Sequence, residues 1–443
     1  VQLARAPAEA GQVLDRLERL ERLSDSPRQT ARLQIERTRW HLRQKNASLA
    51  LAAITRLGQL NLKTPQAADR DGIRIISRDA WLAEASRQAL ALAVRENAPA
   101  GDRRLVRQLN DDALRLSRQG STTARLDFIS HYPHFEATQH VRLAAASDLV
   151  RSGHYQQAEL LLLQIRQRAP AVLQLQATTA LVQLWDRFGL WEESAQLLED
   201  LHTGHLASVV DSTGRTGRQF VSQLSPSSMA LTTWKRHRHT VSPVESVTLQ
   251  VNDSIAATHP VSDAYQRHRR RFSTSERTTL DLLETYTGQT RRVTLVDRRV
   301  GVSIGHVDLP THFSIPFHWH QANSGHLLAL GGPASVFSVS LLEHSTKRPF
   351  WSHPYGPLVK NPELLRVGPA SPSFCCFQSR SHLFVVNPLD GVLRWRRSDL
   401  ESGSGLFADA ASGLFGDDEV LVVCAADRVR HEVFRTSTGE RVR

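Results

Sequence analysis

Cysteine is scarce in this 443-residue chain, with Cys375, Cys376 and Cys424 the whole complement. Three thiols cannot build the disulfide framework of a small secreted domain, and none stands in the paired C-x-x-C spacing of a zinc site. Long apolar runs are also missing. Hydrophobic residues make up 40% of the chain, a globular proportion, yet no stretch approaches the roughly 18 to 20 apolar residues that cross a bilayer. Val1 to Gln12 lacks the basic start, apolar run and cleavage site of a secretory signal. The sequence reads as a fragment, opening without Met and ending at Arg443 inside an unfinished repeat, so compartment stays open. No G-x-S-x-G, H-E-x-x-H, Walker or Rossmann fingerprint occurs.

Lysine is nearly absent. Of the 55 basic residues behind a formal charge of +11, only Lys45, Lys63, Lys235, Lys347 and Lys360 are lysines and the rest are arginines. Such a charge raises nucleic acid or an acidic surface as a partner. An arginine excess of this kind also arises from a GC-rich genome without any ligand, so nucleic acid is not favoured on charge alone.

What the chain does have is helical periodicity up to about Leu206. Apolar residues recur at three- and four-residue steps through Val13–Leu23, Arg32–Gln44, Ala50–Leu60, Ala80–Val94, Leu105–Leu116, Val141–Val150, Ala158–Ile165, Leu173–Leu184 and Glu192–Leu201. Two junctions share one pattern, Gly-x-aromatic-x-x-small. They are Gly153-His154-Tyr155-Gln156-Gln157-Ala158 and Gly189-Leu190-Trp191-Glu192-Glu193-Ser194-Ala195, about 36 residues apart. Glycine permits the tight turn, the aromatic is expected to fill the gap between helices, and the small residue allows close approach. This resembles the tetratricopeptide repeat, with Gly153, Tyr155 and Ala158 in one copy and Gly189, Trp191 and Ala195 in the next. Ser194 departs from Ala158. Asn46–Ala50 reads as a third, degenerate copy, and Phe128–Pro133 followed by Ala144–Leu149 as a further repeat joint. An unrelated helical hairpin bundle is the alternative, and neither supplies a nucleophile.

From Ala207 to Arg277 the helical pattern stops and Ser, Thr, His and Arg dominate, which reads as a linker. It holds two basic clusters, Trp234-Lys235-Arg236-His237-Arg238-His239 and Arg267-His268-Arg269-Arg270-Arg271-Phe272. An aromatic beside arginines could stack on a base while the arginines hold phosphates. A solvated charge run is the favoured reading, because no recognition fold surrounds them. Val247–Val251 alternates like a single strand.

From Thr278 the period becomes alternating. The segment Leu383–Trp395 runs strand, Asp390-Gly391 turn, then returning strand ending on Trp395. Gly391 takes positive φ cheaply and sets the register. Leu280–Gly288, Leu342–Trp351 and Val433–Gly439 align with it, at intervals of roughly 45 to 60 residues against the 40 to 50 of a four-stranded blade. These segments resemble the repeat of the pyrroloquinoline-quinone (PQQ)-like, quinoprotein-type β-propeller. The resemblance implies that Trp351 and Trp395 pack between neighbouring blades; Gly288, Gly391 and Gly439 are the turn glycines of the repeat. Arg292 and Arg443 stand where the other two copies would carry Trp, so the propeller is expected to be partial.

Two features point toward chemistry. Cys375 and Cys376 match the vicinal disulfide that quinoprotein alcohol dehydrogenases carry against their cofactor, but Phe374-Cys375-Cys376-Phe377 reads as a buried strand and no acidic cluster for calcium is evident. His318 and His320 flank Trp319 and share one face of a strand, where two imidazoles could bind a metal; His312 and His326 lie nearby. No third ligand is tied to them by spacing. Glu192-Glu193 and Asp417-Asp418 read as helix-start and loop charges.

The expectation is a multidomain α and β protein. Residues 1–206 form a tetratricopeptide-like α-solenoid, 207–277 a linker and 278–443 an incomplete PQQ-like propeller. It is expected to be a non-enzymatic bacterial interaction or scaffold protein without cofactor, meeting other proteins through the helical concave surface and the propeller face. By family resemblance it is periplasmic or membrane-associated. A quinoprotein-type oxidoreductase and a nucleic-acid-binding protein remain the alternatives.

Overall fold

The computed structural model describes residues 10–60, 66–67, 74–95, 98–211, 213–239, 268–273, 279–287, 290–297, 302–310, 321–324, 326–331, 335–340, 342, 349–354, 365–379, 381–400, 413–425 and 429–442. The chain is mixed α and β, with helices in its N-terminal part and antiparallel sheets in its C-terminal part. The helices among the described residues are α1 (Ala10–Arg22), α2 (Pro27–Arg43), α3 (Ala47–Gln59), α4 (Arg78–Ala93), α5 (Ala100–Gln119), α6 (Thr122–His131), α7 (Thr138–Arg151), α8 (Tyr155–Arg168), α9 (Ala171–Arg187), α10 (Trp191–Gly204), α11 (Gly217–Gln223) and α12 (Met229–His239). The strands are β1 (Gln66–Ala67), β2 (Arg74–Ile76), β3 (His268–Ser273), β4 (Thr279–Thr287), β5 (Thr290–Asp297), β6 (Val302–Pro310), β7 (Gln321–Ser324), β8 (Leu327–Gly331), β9 (Ser335–Ser340), β10 (Ser352–Pro354), β11 (Leu365–Ser371), β12 (Phe374–Ser379), β13 (His382–Val386), β14 (Leu393–Arg397), β15 (Gly413–Gly416), β16 (Val420–Cys424) and β17 (His431–Arg435). None of these helices is long and apolar enough to cross a membrane.

Two compact units share the elements. One comprises Val1–Ser152, Leu364–Asn387 and Val392–Arg443, and the other Gly153–Glu363 and Pro388–Gly391. In the first unit, side-chain caps start the helices: Ser26, Asn46, Ser77 and Ser121 each accept an amide of the first turn, a bond worth about 1 kcal/mol apiece. Buried Arg125 ties α6 to its neighbours. It donates to the Leu116 and Ser117 carbonyls at the end of α5, at 2.8 and 3.1 Å, and pairs with Asp148 of α7, so its charge meets the negative end of a helix.

The main sheet of this unit runs β1-β2-β14-β13-β12-β11. Its first two strands come from the segment between α3 and α4. Ile76 pairs with Trp395 and Arg74 with Arg397, and the Ser77 amide bonds the Arg394 carbonyl at 2.7 Å. The helical part therefore covers the edge that β14 would otherwise leave open. Ile76 and Ala80 join Phe374, Cys376, Leu383, Val385, Trp395, Leu421, Val423 and Phe434 in one core. The smaller sheet β15-β16-β17 packs its Leu421, Val423 and Phe434 face into that core.

The second unit packs α8, α9 and α10 through Leu160, Leu161, Ile165, Leu181, Val182, Leu198 and Leu201, all fully buried. It also holds the sheets β3-β4-β5-β6 and β7-β8-β9-β10. The stretch read as a linker is more structured than its composition suggests, since α11, α12 and β3 fall within it. Thr216 and Gln219 form a reciprocal capping box on α11. Asp186 accepts the Ser228 hydroxyl and the Ala230 amide, at 2.8 and 3.0 Å, and so seats α12. Polar residues that look like linker serve here as caps.

Candidate functional site

At the two helical junctions, Gly153 and Gly189 take φ of 84° and 75°, the left-handed region that glycine enters without a Cβ penalty. The Tyr155 ring meets Phe188 edge-on at 4.7 Å, with the Arg187 guanidinium 4.8 Å above it. Ala158 and Ala195 are buried, and Ser194, at the position matching Ala158, is buried with its hydroxyl on the Val182 carbonyl at 3.2 Å. Trp191 departs from the expectation. It is 38% exposed, with its ring 3.9 Å from where a Cβ on Gly189 would stand.

The turns of the β part form a matched pair. Trp351 donates its indole N–H to the Pro388 carbonyl at 2.8 Å, and Trp395 donates to the Thr436 carbonyl at 2.7 Å. Each acceptor lies three residues before a turn glycine, Gly391 or Gly439, whose φ values are 70° and 68°. A Cβ on Gly391 would stand 2.7 Å from the Trp351 ring, and one on Gly439 2.5 Å from the Trp395 ring. Both tryptophans are buried. Gly288 lies outside the described residues.

A polar cluster that sequence reasoning missed sits in the second unit. Glu159 of α8 is fully buried and takes the Trp185 indole N–H at 2.7 Å, the Gln156 amide at 2.7 Å and the His326 backbone N–H at 3.0 Å. Its carboxylate also pairs with His326 Nδ1. Glu193 Oε1 of α10 lies 3.8 Å from His326 Nε2, the Trp185 ring meets His326 edge-on at 5.2 Å, and Ser340 donates to Gln156 at 2.8 Å. Burial opposes protonation of His326, but Glu159 and then Glu193 outweigh it and push its pKa up to about 10. The imidazolium thus clamps the β7–β8 hairpin to α8, α9 and α10. Both side chains of the main pair are at most 5% exposed, so the arrangement is closed to a substrate and holds its proton fixed.

Of the histidines singled out in the sequence, His326 is the described one; His312, His318 and His320 lie outside the described residues. Among the described residues no three His, Cys, Asp or Glu side chains are grouped to hold a metal. Cys375 and Cys376 lie in β12, fully buried and as free thiols. Cys376 faces the core with Trp395, and burial, with Cys375 beside it, pushes its thiol pKa well up, away from the reactive thiolate. In the first basic cluster, Trp234 is buried with its indole N–H on Glu199 at 2.6 Å and its ring against His202, so it is not presented for stacking on a base. Arg267 of the second cluster is outside the described residues.

No protein-family model matches the sequence, and no curated protein does. Among solved structures, the chain is similar to Hsv2p of Kluyveromyces lactis at 14% identity and a TM-score of 0.25, over 40% of this chain and 50% of that one. It is similar to apo AztD of Citrobacter koseri at 9% identity and a TM-score of 0.20, over 40% and 71%. The chain thus spans about half the length of Hsv2p, and likenesses this faint say nothing of what it does.

Proposed function

We propose that the protein is a non-enzymatic interaction or scaffold protein, built from tetratricopeptide-like helical repeats followed by quinoprotein-type propeller blades, in the envelope of a bacterium. The observation that carries this reading is the matched pair of tryptophan joints. Trp351 and Trp395 each reach forward about one blade length, bond a carbonyl three residues before a turn glycine, and lie against that glycine. A joint repeated with the same offset is what a blade-by-blade stack requires. The positive-φ glycines at 153 and 189 support the helical repeat in the same way. The groups that could have supplied chemistry are otherwise engaged. Glu159 and His326 are locked together out of solvent, and Cys375 and Cys376 pack in a strand.

Titration of the purified chain with pyrroloquinoline quinone and calcium, followed by absorbance, tests the reading against an oxidoreductase. No stoichiometric complex is expected. Saturable binding abolished by Cys375→Ser would overturn it.

A further inference from the structure

Residues three and four apart on a helix surface are neighbours, so a wetted face is most stable when opposite charges alternate at those steps. The outer face of α5 departs from that pattern. Asp102, Leu109 and Ala113 turn inward and are buried. With about 3.6 residues per turn, the opposite face carries Arg104, Arg107, Arg115 and Arg118 around Asp111 and Leu114, all exposed. Arg103 lies at its edge, also exposed. Like charges therefore face one another at Arg103 and Arg107, at Arg104 and Arg107, and at Arg115 and Arg118, spacings that repel. Arg103 and Arg104 also stand near the positive end of the helix dipole. Asp102, the acid of the first turn, does not balance them, because it is buried and accepts the Ser48 amide at 2.8 Å. Arg115 pairs with Asp112 at 2.7 Å, whereas Arg103, Arg104, Arg107 and Arg118 form no ion pair among the described residues.

Charge complementarity names the chemistry that relieves this repulsion, a row of carboxylates, and the middle of the face says what carries them. Leu114 is 39% exposed, and with Asp111, Arg115, Arg118 and Gln119 it lines an open cavity of about 270 Å³. That is below the roughly 300 to 1,000 Å³ of a small-molecule pocket, so the cavity suits one side chain. A nucleic acid is disfavoured, because Asp111 sits among the arginines and α5 offers no aromatic ring to a base. A lipid surface needs a broad apolar face, and here Leu114 stands alone among charges. From Arg103 to Arg118 the face is about 22 Å long, the length of a four-turn helix. We infer that the outer face of α5 binds an acidic amphipathic helix of a partner protein, its carboxylates on Arg104, Arg107 and Arg118 and one apolar side chain against Leu114. The inference rests on the scaffold reading in taking the partner to be a protein.

The test is fluorescence anisotropy of the whole chain with a labelled synthetic helix of about 15 residues, bearing glutamates along one face and a single leucine among them. Saturable binding that weakens with added salt is expected. Arg104→Glu combined with Arg107→Glu should weaken it at least about tenfold, since like charges then face each other across the contact. Leu114→Asp should weaken it as well, and so should serine in place of the peptide's leucine. Both variants should keep the wild-type circular dichroism, because these side chains are exposed. The same charge change at exposed Arg28 and Arg32 of α2 should leave binding within about twofold, which separates a site from net charge. No binding of the peptide by the wild-type chain overturns the inference, as does equal loss from the α2 reversal. Tighter binding of single-stranded DNA or of phosphatidylserine vesicles, lost with the same two arginines, overturns it too. Failure here leaves the scaffold reading to its own titration, and quinone binding there would leave this measurement unchanged.

Discussion

Replacing Glu159 by Gln removes the charge that keeps His326 protonated while leaving an oxygen for the Trp185 indole. In the folded chain the His326 pKa is raised from 6.5 to about 10. The stabilisation this gives is fully present below about pH 6.5, the unfolded value, and is lost as pH rises through about 10. At about 1.4 kcal/mol per pH unit, the gap corresponds to at most on the order of 5 kcal/mol, little reduced by solvent because the pair is buried. Breaking such a pair from one side costs about 3 to 5 kcal/mol, so both routes give the same size of effect. The assay is urea unfolding followed by tryptophan fluorescence, with wild type and Glu159→Gln compared at about pH 6.5, 8 and 9.5; titrations common to both chains cancel in the difference. The gap in stability should be largest at the lowest of these pH values and shrink steadily toward the highest. A gap that stays constant would refute the claim that Glu159 holds the proton on His326.

Gly439→Ala should cost about 2 to 4 kcal/mol, from a strained positive φ together with collision against Trp395, whereas Gly153→Ala, with nothing near its absent side chain, should cost only about 1 kcal/mol; equal shifts in thermal unfolding would contradict the joint geometry. Ile76→Asp buries a carboxylate in the Trp395 core and should cost about 3 kcal/mol or more, with hydrogen-exchange protection lost in both α4 and β14; loss confined to α4 would mean that the strand pairing does not matter. A thiol reagent should reach Cys424 in the native chain and all three cysteines only after denaturation. Detecting a single thiol in denaturant would reveal a disulfide between Cys375 and Cys376.

What was legible in the sequence is what local physics fixes. Nine periodic stretches correspond to α1–α5 and α7–α10, because an amphipathic helix records its buried face at three- and four-residue steps. Turn glycines at 153, 189, 391 and 439 were legible because positive φ leaves few other choices. Short helices escaped: α6 and α11 have 10 and 7 residues, too few for a period to rise above the Ser and Thr around them. Pairings across long separations left no trace. Nothing near Arg74–Ile76 announces that its partner is β14, and Glu159 meets His326 across 167 positions. Composition also gave Trp234 a solvent role that its bond to Glu199 denies it.

The central claim, that this chain works by holding other proteins, is tested most directly by photo-crosslinking from the helical part in cells that encode it. A crosslinking side chain at Val172, 56% exposed on α9, should yield discrete protein adducts that disappear when the chain is unfolded by Glu159→Gln at high temperature. The absence of any protein adduct from that position and from Trp191, together with quinone-dependent turnover by the purified chain, would contradict it.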